Sequence, residues 1–302
     1  MRVFMTGGTG FVGTALSREL VNQGHEVSIL TRGVSSGQKP PKGVTYIRGD
    51  PTEQGPWQER AAENDIIINL AGASIFRRWT GEAKTLMRES RIRTTRNLVA
   101  ALERRKGSDT VLLSTSAVGY YGFHGDETLD EGSLSGNDFL AILATDWENE
   151  AIRAEQYGAR VLICRLGIVL GRGGGALAQI LPLFRKGLGS VLGDGNQWFS
   201  WVHEQDLVNI FLFLLEQKSL SGPINVMAPE PVTNRDLTKA LAKALGKPAL
   251  LPAVPGFVVR MMKGEFGTVL LKGQRVIPKR LLDAGFHFRF ATIQEALADL
   301  VG

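Results

Sequence analysis

Met1-Arg-Val-Phe-Met-Thr-Gly-Gly-Thr-Gly-Phe-Val-Gly13 is the stretch of sequence that decides the fold. The run Arg2–Thr6 predicts a short buried strand, and the glycines after it predict a turn into a helix that ends near Gly24. His25–Thr31 then predicts a second strand. A strand, a glycine turn, a helix and a strand in this order form the setting in which a G-x-x-G-x-x-G motif binds a dinucleotide.

Each glycine of this turn is expected for a different conformational or steric reason. Gly7 permits the tight turn, Gly10 lets the backbone approach a pyrophosphate, and Gly13 has no side chain to hold the helix away from the sheet. The free N–H groups and the positive dipole at the helix N-terminus favour the phosphates. An ordinary strand-helix-strand crossover with incidental glycines is the alternative, and the spacing and the flanking segments favour the dinucleotide site. The cofactor-binding residues predicted here are Gly7, Thr9, Gly10, Phe11, Val12 and Gly13.

Composition sets the class of protein. With 302 residues, of which 43% are hydrophobic, the chain can bury a large core in two lobes or in one α/β domain with an appendage. No run of about 18 apolar residues predicts a membrane span, and a strand at the N-terminus leaves no place for a cleavable signal. A single cysteine, Cys164, forms no internal disulfide, which fits a cytoplasmic protein. The net charge of +5 comes without an aromatic-interleaved basic patch, so nucleic acid is not an expected partner.

Apolar and amphipathic segments alternate along the first half of the chain. This alternation predicts a Rossmann-type, doubly wound parallel sheet in the α/β class. We expect residues 1–170 to form the nucleotide-binding domain, to which residues 203–228 return, and residues 171–302 to form mainly a smaller, helical, substrate-side lobe. The further predicted strands are Val44–Arg48, Asp65–Leu70, Thr110–Ser114, Arg160–Arg165 and Ile224–Val226. The further predicted helices are Gly81–Arg105, Asn137–Tyr157, Ala176–Lys186, His203–Glu216, Thr233–Leu245, Phe257–Leu271 and Thr292–Val301.

The end of the second strand indicates which dinucleotide binds. An NAD-preferring fold places an acidic residue there for the ribose hydroxyls, but no Asp or Glu occurs between Glu26 and Asp50. Arg32 stands at this point, with Ser35 and Ser36 close behind it. An arginine can bind a 2′-phosphate bidentately, so NADP(H) is favoured over NAD(H). The alternative for Arg32 is a solvated loop residue.

Two other strand ends are expected to meet the cofactor. Asp50, just past the third strand, is placed to meet the adenine, although an Asp before Pro51 also commonly begins a turn. Leu70, Ala71 and Gly72, past the fourth strand, would let the cofactor pass close to the backbone.

Several segments resemble the extended short-chain dehydrogenases/reductases, which include nucleotide-sugar epimerases and dehydratases. Thr6–Gly13, Asn69–Gly72, and Ser114–Ser116 together with Tyr121-Gly122 carry this likeness. A narrower resemblance is to the atypical "epimerase family protein" subgroup, including its C-terminal helical segment. Some relatives in that subgroup are associated with cell division or plastid division. The segments that carry the narrower likeness are Arg78–Thr80, Ser90–Ile92, Ala117–Gly122, Gly171–Gly175, Trp201–His203 and Gly273–Lys279.

The proton machinery of the wider family is missing. Typical members use Tyr-x-x-x-Lys, in which the lysine lowers the pKa of the tyrosine so that it acts as a general base. The four tyrosines here are followed, four residues later, by Asp, His, Gly and Val, and no lysine occurs between Lys106 and Lys186. Binding of the nucleotide therefore does not by itself imply the family's usual reaction.

Three interpretations remain open. In the first, the protein is an NADP-dependent oxidoreductase or sugar-nucleotide epimerase in which Ser116 orients the substrate. Tyr121, or its neighbour Tyr120, would supply the proton, and His124 follows closely. Tyr121 and His124 could equally be loop residues packed over the nicotinamide. In the second, the protein binds NADP(H) without turnover, as a regulatory scaffold. In the third, it is an interaction protein with a vestigial nucleotide site, which the intact glycine spacing and Arg32 disfavour.

The substrate is expected to be a small molecule. Arg77, Arg78 and Trp79 after the fourth strand, and Arg165 at the end of the sixth, would suit an anionic one, or could merely cover the sheet edge. Four further expectations concern individual side chains, metal binding and assembly. His203 and Asp206 begin a helix and could either belong to the site or merely cap and pack, and Glu148 and Glu150 are expected to be solvated. No cluster has metal-ligand spacing, and the chain is expected to be a monomer or a homodimer.

Overall fold

The structure is a computed structural model that describes residues 1–33, 40–105, 109–249 and 251–302. Ser35 and Ser36, which the sequence placed behind Arg32, lie outside the described residues.

A seven-stranded sheet forms the centre of the protein. Its strands are β1 Arg2–Thr6, β2 Glu26–Thr31, β3 Val44–Arg48, β4 Ile66–Asn69, β5 Val111–Ala117, β6 Arg160–Leu166 and β7 Gly222–Val226. Their order is β7-β6-β5-β4-β1-β2-β3, and every neighbouring pair is parallel. The chain leaves β1 in one direction, through β2 to β3, and later returns to β4 on the other side of β1. Ligands of open α/β sheets bind at such a reversal, beyond the carboxyl ends of the strands. The predicted fold class is confirmed.

Helices cover both faces of this sheet. Together with those of the C-terminal half, the helices of the described residues are α1 Phe11–Asn22, α2 Trp57–Ala62, α3 Gly81–Leu102, α4 Phe139–Ile152, α5 Leu177–Arg185, α6 Glu204–Glu216, α7 Asn234–Ala244, α8 Gly256–Lys263, α9 Phe266–Leu271, α10 Lys279–Asp283 and α11 Ile293–Val301. Successive side chains of β1 point to opposite faces, as strand geometry requires. Val3 and Met5 share a buried cluster with residues of α1 and α6, whereas Phe4 packs with α2 and α3. Because helices bury both faces of the sheet, the strands are apolar on both sides.

A second core lies under α5, α7 and α11 in the C-terminal half. Three small sheets of the described residues lie outside the main one. Trp201–His203 pairs with Ile168–Gly171, which also pairs with Gly174–Gly175. Trp198–Phe199 pairs with Val232–Thr233, and Thr128–Leu129 pairs with Arg275–Val276. Strand β7 belongs to the main sheet and follows α6. The division of the chain near residue 170 stays a prediction.

The structure differs from the predicted elements at three places. The helix expected over Phe257–Leu271 is two helices, because Gly264 adopts a left-handed φ of 62° between α8 and α9. The segment Gly171–Gly175, for which no strand was predicted, takes part in a hairpin of the short strands Ile168–Gly171 and Gly174–Gly175. The short helices α2 and α10 were not predicted, since six and five residues carry little periodicity. In the described residues, none of the helices has both the length and the apolarity needed to cross a membrane.

Candidate functional site

The glycine turn between β1 and α1 is held by close backbone contacts. Gly7 has a φ of 68°, and a Cβ atom on it would lie 2.7 Å from the carbonyl carbon of Leu70. A Cβ atom on Gly13 would lie 2.3 Å from the carbonyl oxygen of Gly7. Apart from its chain neighbours Thr9 and Phe11, the only described atom within 4 Å of such a Cβ on Gly10 is the Gly7 oxygen, at 3.2 Å. Gly7 and Gly13 are therefore glycines because of the protein's own packing, whereas Gly10 leaves space for a ligand.

The other residues of the turn have separate contacts. Thr9 is exposed, and Val12 packs against the core cluster that contains β1. The ring of Phe11 lies against the Gly171–Gly175 hairpin, where a Cβ on Gly174 would come within 2.1 Å of it. The glycine-rich hairpin is thus shaped to cover the head of α1, a role that its sequence alone did not indicate.

Arg32 and Asp50 lie at neighbouring strand ends, after β2 and β3 respectively. Arg32 is exposed. One oxygen of Asp50 accepts hydrogen bonds from the backbone N–H and the hydroxyl of Thr52, at 2.8 and 2.7 Å. Burial raises the pKa of Asp50, but those hydrogen bonds and the positive charges of Arg32 and Arg93 outweigh it, so the pKa is lowered overall. Asp50 begins a turn, as its alternative role required, and two arginines surround it.

Arg93 was not predicted as a site residue. It lies on α3, one helical turn before Asn97, whose side-chain amide donates to the carbonyl oxygen of Pro51 at 3.0 Å. Helix α3 therefore packs directly beside the turn that Asp50 begins. Nothing distinguishes Arg93 from the other arginines of this helix in the sequence, because the contact is made across roughly 40 residues of chain.

Leu70, Ala71 and Gly72 follow β4 as expected, and Leu70 contacts the glycine turn. Below them, the buried Asn69 joins three elements. Its side-chain oxygen accepts from the Thr6 hydroxyl at 2.7 Å, and its amide donates to the Thr95 hydroxyl at 2.8 Å. These hydrogen bonds hold the ends of β1 and β4 against α3.

A buried ion pair occupies the carboxyl end of β5 and β6. Ser116, Arg165 and Asn225 are register partners across β5, β6 and β7. Arg165 donates from Nε and Nη2 to the two carboxylate oxygens of Glu148, both at 2.9 Å, and the Ser116 hydroxyl donates to Glu148 at 2.6 Å. The expectation that Glu148 is solvated was wrong, because α4 turns this residue inward and it is only 6% exposed. Glu150 is not freely solvated either, because its carboxylate pairs with Arg96 and Arg153 and its side chain is only 13% exposed.

The two adjacent tyrosines have different environments. Tyr121 is fully buried, donates to the Asn225 side-chain oxygen at 2.7 Å and accepts from Arg165 at 3.0 Å. Burial raises the pKa of Tyr121 to about 12, against the opposing effect of the Arg165 charge. Its hydroxyl is thus held inside the protein, and this location does not fit the proton donor expected from the sequence. Tyr120 is half-buried, and the Arg165 guanidinium lies 3.4 Å from its ring centroid.

The remaining candidate residues are spread around this edge. His124 contacts the Glu127 carboxylate and the carbonyl oxygen of Tyr121. Arg77 and Arg78 are exposed. Trp79 donates to the carbonyl oxygen of Ile75 and packs on Phe139 and Phe266, so it ties the loop after β4 to α4 and α9.

His203 and Asp206 hold the start of α6. The Nδ1 atom of His203 accepts from the Gln205 N–H at 3.0 Å, which caps the helix. Asp206 accepts from the backbone N–H groups of Arg289 and Phe290, at 3.0 and 2.9 Å. Both residues therefore cap and pack, which was one of their two expected roles.

Comparison with known proteins gives consistent matches along the chain. The model of the NAD dependent epimerase/dehydratase family matches residues 3–227, and that of a domain of unknown function matches residues 254–300. The epimerase family protein SDR39U1 homolog, chloroplastic, of Arabidopsis thaliana is 39% identical over 98% of this chain and 86% of that protein. The epimerase family protein YfhF of Bacillus subtilis is 37% identical over 100% of this chain and 98% of that protein.

A solved structure also matches this chain over its full length. The crystal structure of the human epimerase family protein SDR39U1 (isoform 2) with NADPH superposes with a TM-score of 0.86 and is 35% identical, covering 100% of this chain and 99% of that one. The glycine turn, the parallel sheet and these full-length similarities agree. This chain belongs to the NAD dependent epimerase/dehydratase family, as an atypical extended short-chain dehydrogenase/reductase of the epimerase family protein subgroup.

Proposed function

We propose that this protein binds NADP(H) at the carboxyl edge of its sheet and uses it for hydride transfer with a small substrate. One observation carries the binding site: the glycine turn stands at the reversal of strand order, with Gly10 open to a ligand and Arg32 at the end of β2. The N-terminus of α1 would hold the diphosphate, since its first N–H groups are free of helical partners. Gly72 and Asp50 would meet the sugar and the adenine.

The choice of NADP(H) rests on charge. Arg32 is exposed, and Arg93 lies near enough to act on the same carboxylate, Asp50. A 2′-phosphate placed between these arginines would gain charge-assisted hydrogen bonds, whereas the 2′-hydroxyl of NAD(H) would gain little. The human relative with bound NADPH, 35% identical, supports the same choice.

Titration of the protein with NADPH and with NADH tests this choice. We expect the affinity for NADPH to exceed that for NADH. Arg32→Ala should lower the affinity for NADPH by roughly 10-fold or more and leave the affinity for NADH unchanged. Equal affinities for the two dinucleotides in the wild type would contradict the assignment.

For the chemistry, Tyr120 replaces Tyr121 as our candidate proton donor. Hydride transfer from the nicotinamide to a carbonyl carbon needs a proton for the oxygen. Tyr120 is half-buried beside the ion pair of Arg165 and Glu148, and its hydroxyl makes no hydrogen bond within the described residues. The Ser116 hydroxyl donates to Glu148. In the complex it would accept a hydrogen bond from the substrate or turn toward the substrate, and it would not act alone.

Turnover tests these roles. Protein with NADPH is mixed with a panel of carbonyl compounds and nucleotide sugars, and oxidation of the NADPH, seen as loss of its near-ultraviolet absorbance, or formation of an epimer is followed. We expect Tyr120→Phe to abolish turnover at unchanged NADPH affinity, and Tyr121→Phe to retain it. Turnover that survives Tyr120→Phe removes Tyr120 from the mechanism.

A non-catalytic, regulatory NADP(H)-binding protein is the second candidate. It is favoured by the engagement of Ser116 with Glu148 and of Tyr121 with Asn225, since both hydroxyls serve the fold. Tight NADPH binding without turnover across the whole panel would support it. The small anionic substrate, the cytoplasmic location and the monomeric or dimeric state remain proposals, the last of which sedimentation equilibrium decides.

A further inference from the structure

Two neighbouring residues of helix α3, Ser90 and Arg91, hydrogen-bond to the segment that follows β4. The backbone N–H of Ala73 donates to the Ser90 hydroxyl at 3.0 Å, and Arg91 donates from Nη1 to the carbonyl oxygen of Ala73 at 3.0 Å. The same nitrogen also donates to the carbonyl oxygen of Met87 at 3.0 Å. The backbone of Ala73 is thus held through both its N–H and its carbonyl group, and the guanidinium of Arg91 is oriented before any ligand arrives.

This guanidinium lies against Gly72. A Cβ atom on Gly72 would be 2.9 Å from Cζ of Arg91, 3.1 Å from Nη2 and 3.2 Å from Nε. Leu70, two residues earlier, contacts Gly7 of the glycine turn. Two residues of extended chain span roughly 7 Å, so the cation lies close to where the turn would receive phosphates.

The positive charge of Arg91 has no counter-ion in the part of the chain that the structure describes. Two other arginines of the same helix are paired, Arg88 with Asp146 and Arg96 with Glu150, but no carboxylate of the described residues lies within ion-pair distance of Arg91. It faces the ring of Trp147 at 5.2 Å, and burial lowers its pKa to about 10. An uncompensated cation in a partly buried place is unfavourable, so the arrangement favours a bound anion.

We propose that Arg91 is the cation that binds the diphosphate of NADPH, through the Nε and Nη2 edge that makes no hydrogen bond within the described residues. This inference rests on the proposed NADP(H) site. Two N–H groups side by side match two phosphate oxygens, and such bidentate pairs are among the strong charge-assisted hydrogen bonds. The diphosphate would then be held from one side by the helix N-terminus and the glycine turn, and from the other by Arg91. An anionic group of the substrate is the other possible source of the same chemistry.

Isothermal titration with three probes separates these sources. NADPH carries the diphosphate and the 2′-phosphate, 2′,5′-ADP carries one phosphate of the diphosphate, and 2′-AMP lacks it. In Arg91→Met we expect the affinities for NADPH and for 2′,5′-ADP to fall roughly 10- to 100-fold, and that for 2′-AMP to stay unchanged. Arg96→Ala, which removes an exposed arginine from the same helix, serves as the matched control and should bind all three probes as the wild type does.

Each outcome bears on the proposal. Unchanged NADPH affinity in Arg91→Met overturns it and leaves the substrate as the source of the anion. An equal loss of affinity for 2′-AMP overturns it too, because it shows general damage to the site. A wild type that does not bind NADPH refutes the proposed function itself. If Arg91→Met does not fold, Arg91→Lys keeps the charge without the planar fork, and wild-type affinity for NADPH in that variant overturns the bidentate contact.

Discussion

The glycine turn allows stability and binding to be separated by two substitutions of the same size. In Gly13→Ala the new methyl carbon would lie 2.3 Å from the carbonyl oxygen of Gly7 and 2.5 Å from Cα of Gly8. Both contacts are with backbone atoms, so α1 or the turn must move. Overpacking of this kind costs about 1–3 kcal/mol, against which the better helix propensity of Ala returns at most about 1 kcal/mol. Contacts this short with backbone atoms belong to the upper half of that range, about 2–3 kcal/mol, so we expect the free energy of unfolding to fall by about 1–3 kcal/mol in all.

Gly10→Ala should behave in the opposite way. Gly10 has an extended backbone, with φ −80° and ψ 178°, which any residue adopts, and the methyl carbon would meet only the Gly7 oxygen at 3.2 Å. Alanine is a poor N-cap, so a loss of about 0.5 kcal/mol is expected. The methyl group would, however, occupy the space through which the phosphates approach. We expect NADPH affinity to fall at least about 10-fold, which is about 1.4 kcal/mol.

Urea unfolding of the ligand-free protein and calorimetric titration with NADPH measure the two effects. Gly81→Ala is the control, since Gly81 begins α3 and a Cβ atom on it would have no described atom within 4 Å. It should leave affinity unchanged and stability equal or higher by up to about 1 kcal/mol. The reasoning is refuted if Gly13→Ala is as stable as the wild type, or if Gly10→Ala binds NADPH with undiminished affinity.

Three further predictions concern buried polar groups. Tyr121→Phe should lower the free energy of unfolding by about 1–3 kcal/mol in urea, because the Asn225 oxygen loses its donor at 2.7 Å, and an unchanged value would contradict this. Glu148→Leu should lower the free energy of unfolding by about 3–5 kcal/mol, because it leaves Arg165 buried and unpaired. Adding Arg165→Met should restore part of that loss. If the effects of the two substitutions on the free energy of unfolding simply add, the two residues are not coupled. For His203, burial lowers the pKa below its ordinary 6.5 despite nearby carboxylates, so the unfolded chain binds the proton more readily. The contribution of neutral His203 to the free energy of unfolding is therefore fully present above about pH 6.5 and is lost as the pH falls toward the folded-state pKa. Melting curves at several pH values should show this loss in the wild type and not in His203→Asn.

The local parts of the fold followed from the sequence. The third strand has the predicted bounds, Val44–Arg48, and the long helix begins at Gly81 as expected. These elements were predictable because hydrophobic periodicity and glycine spacing act between residues close in the chain. The same holds for Gly7, Gly10 and Gly13, whose positions in a strand-turn-helix unit are sufficient to indicate a dinucleotide site.

The chemistry of the site depended on contacts that no local pattern contains. Tyr120 and Tyr121 are neighbours in the chain, and only the tight turn over Val118–Tyr121 decides which hydroxyl is buried. Glu148 belongs to an ion pair with Arg165, and that pairing depends on how α4 lies across β6.

By itself, then, the sequence determined the parallel α/β sheet, the glycine turn and the absence of Tyr-x-x-x-Lys, since all of these lie in short stretches of chain. Only the tertiary structure decided which polar side chains serve the fold and which remain available to a ligand. The physical reason is that a charge or hydroxyl is committed or free according to its partners, and those partners, such as Ala73 for Arg91, come from distant segments.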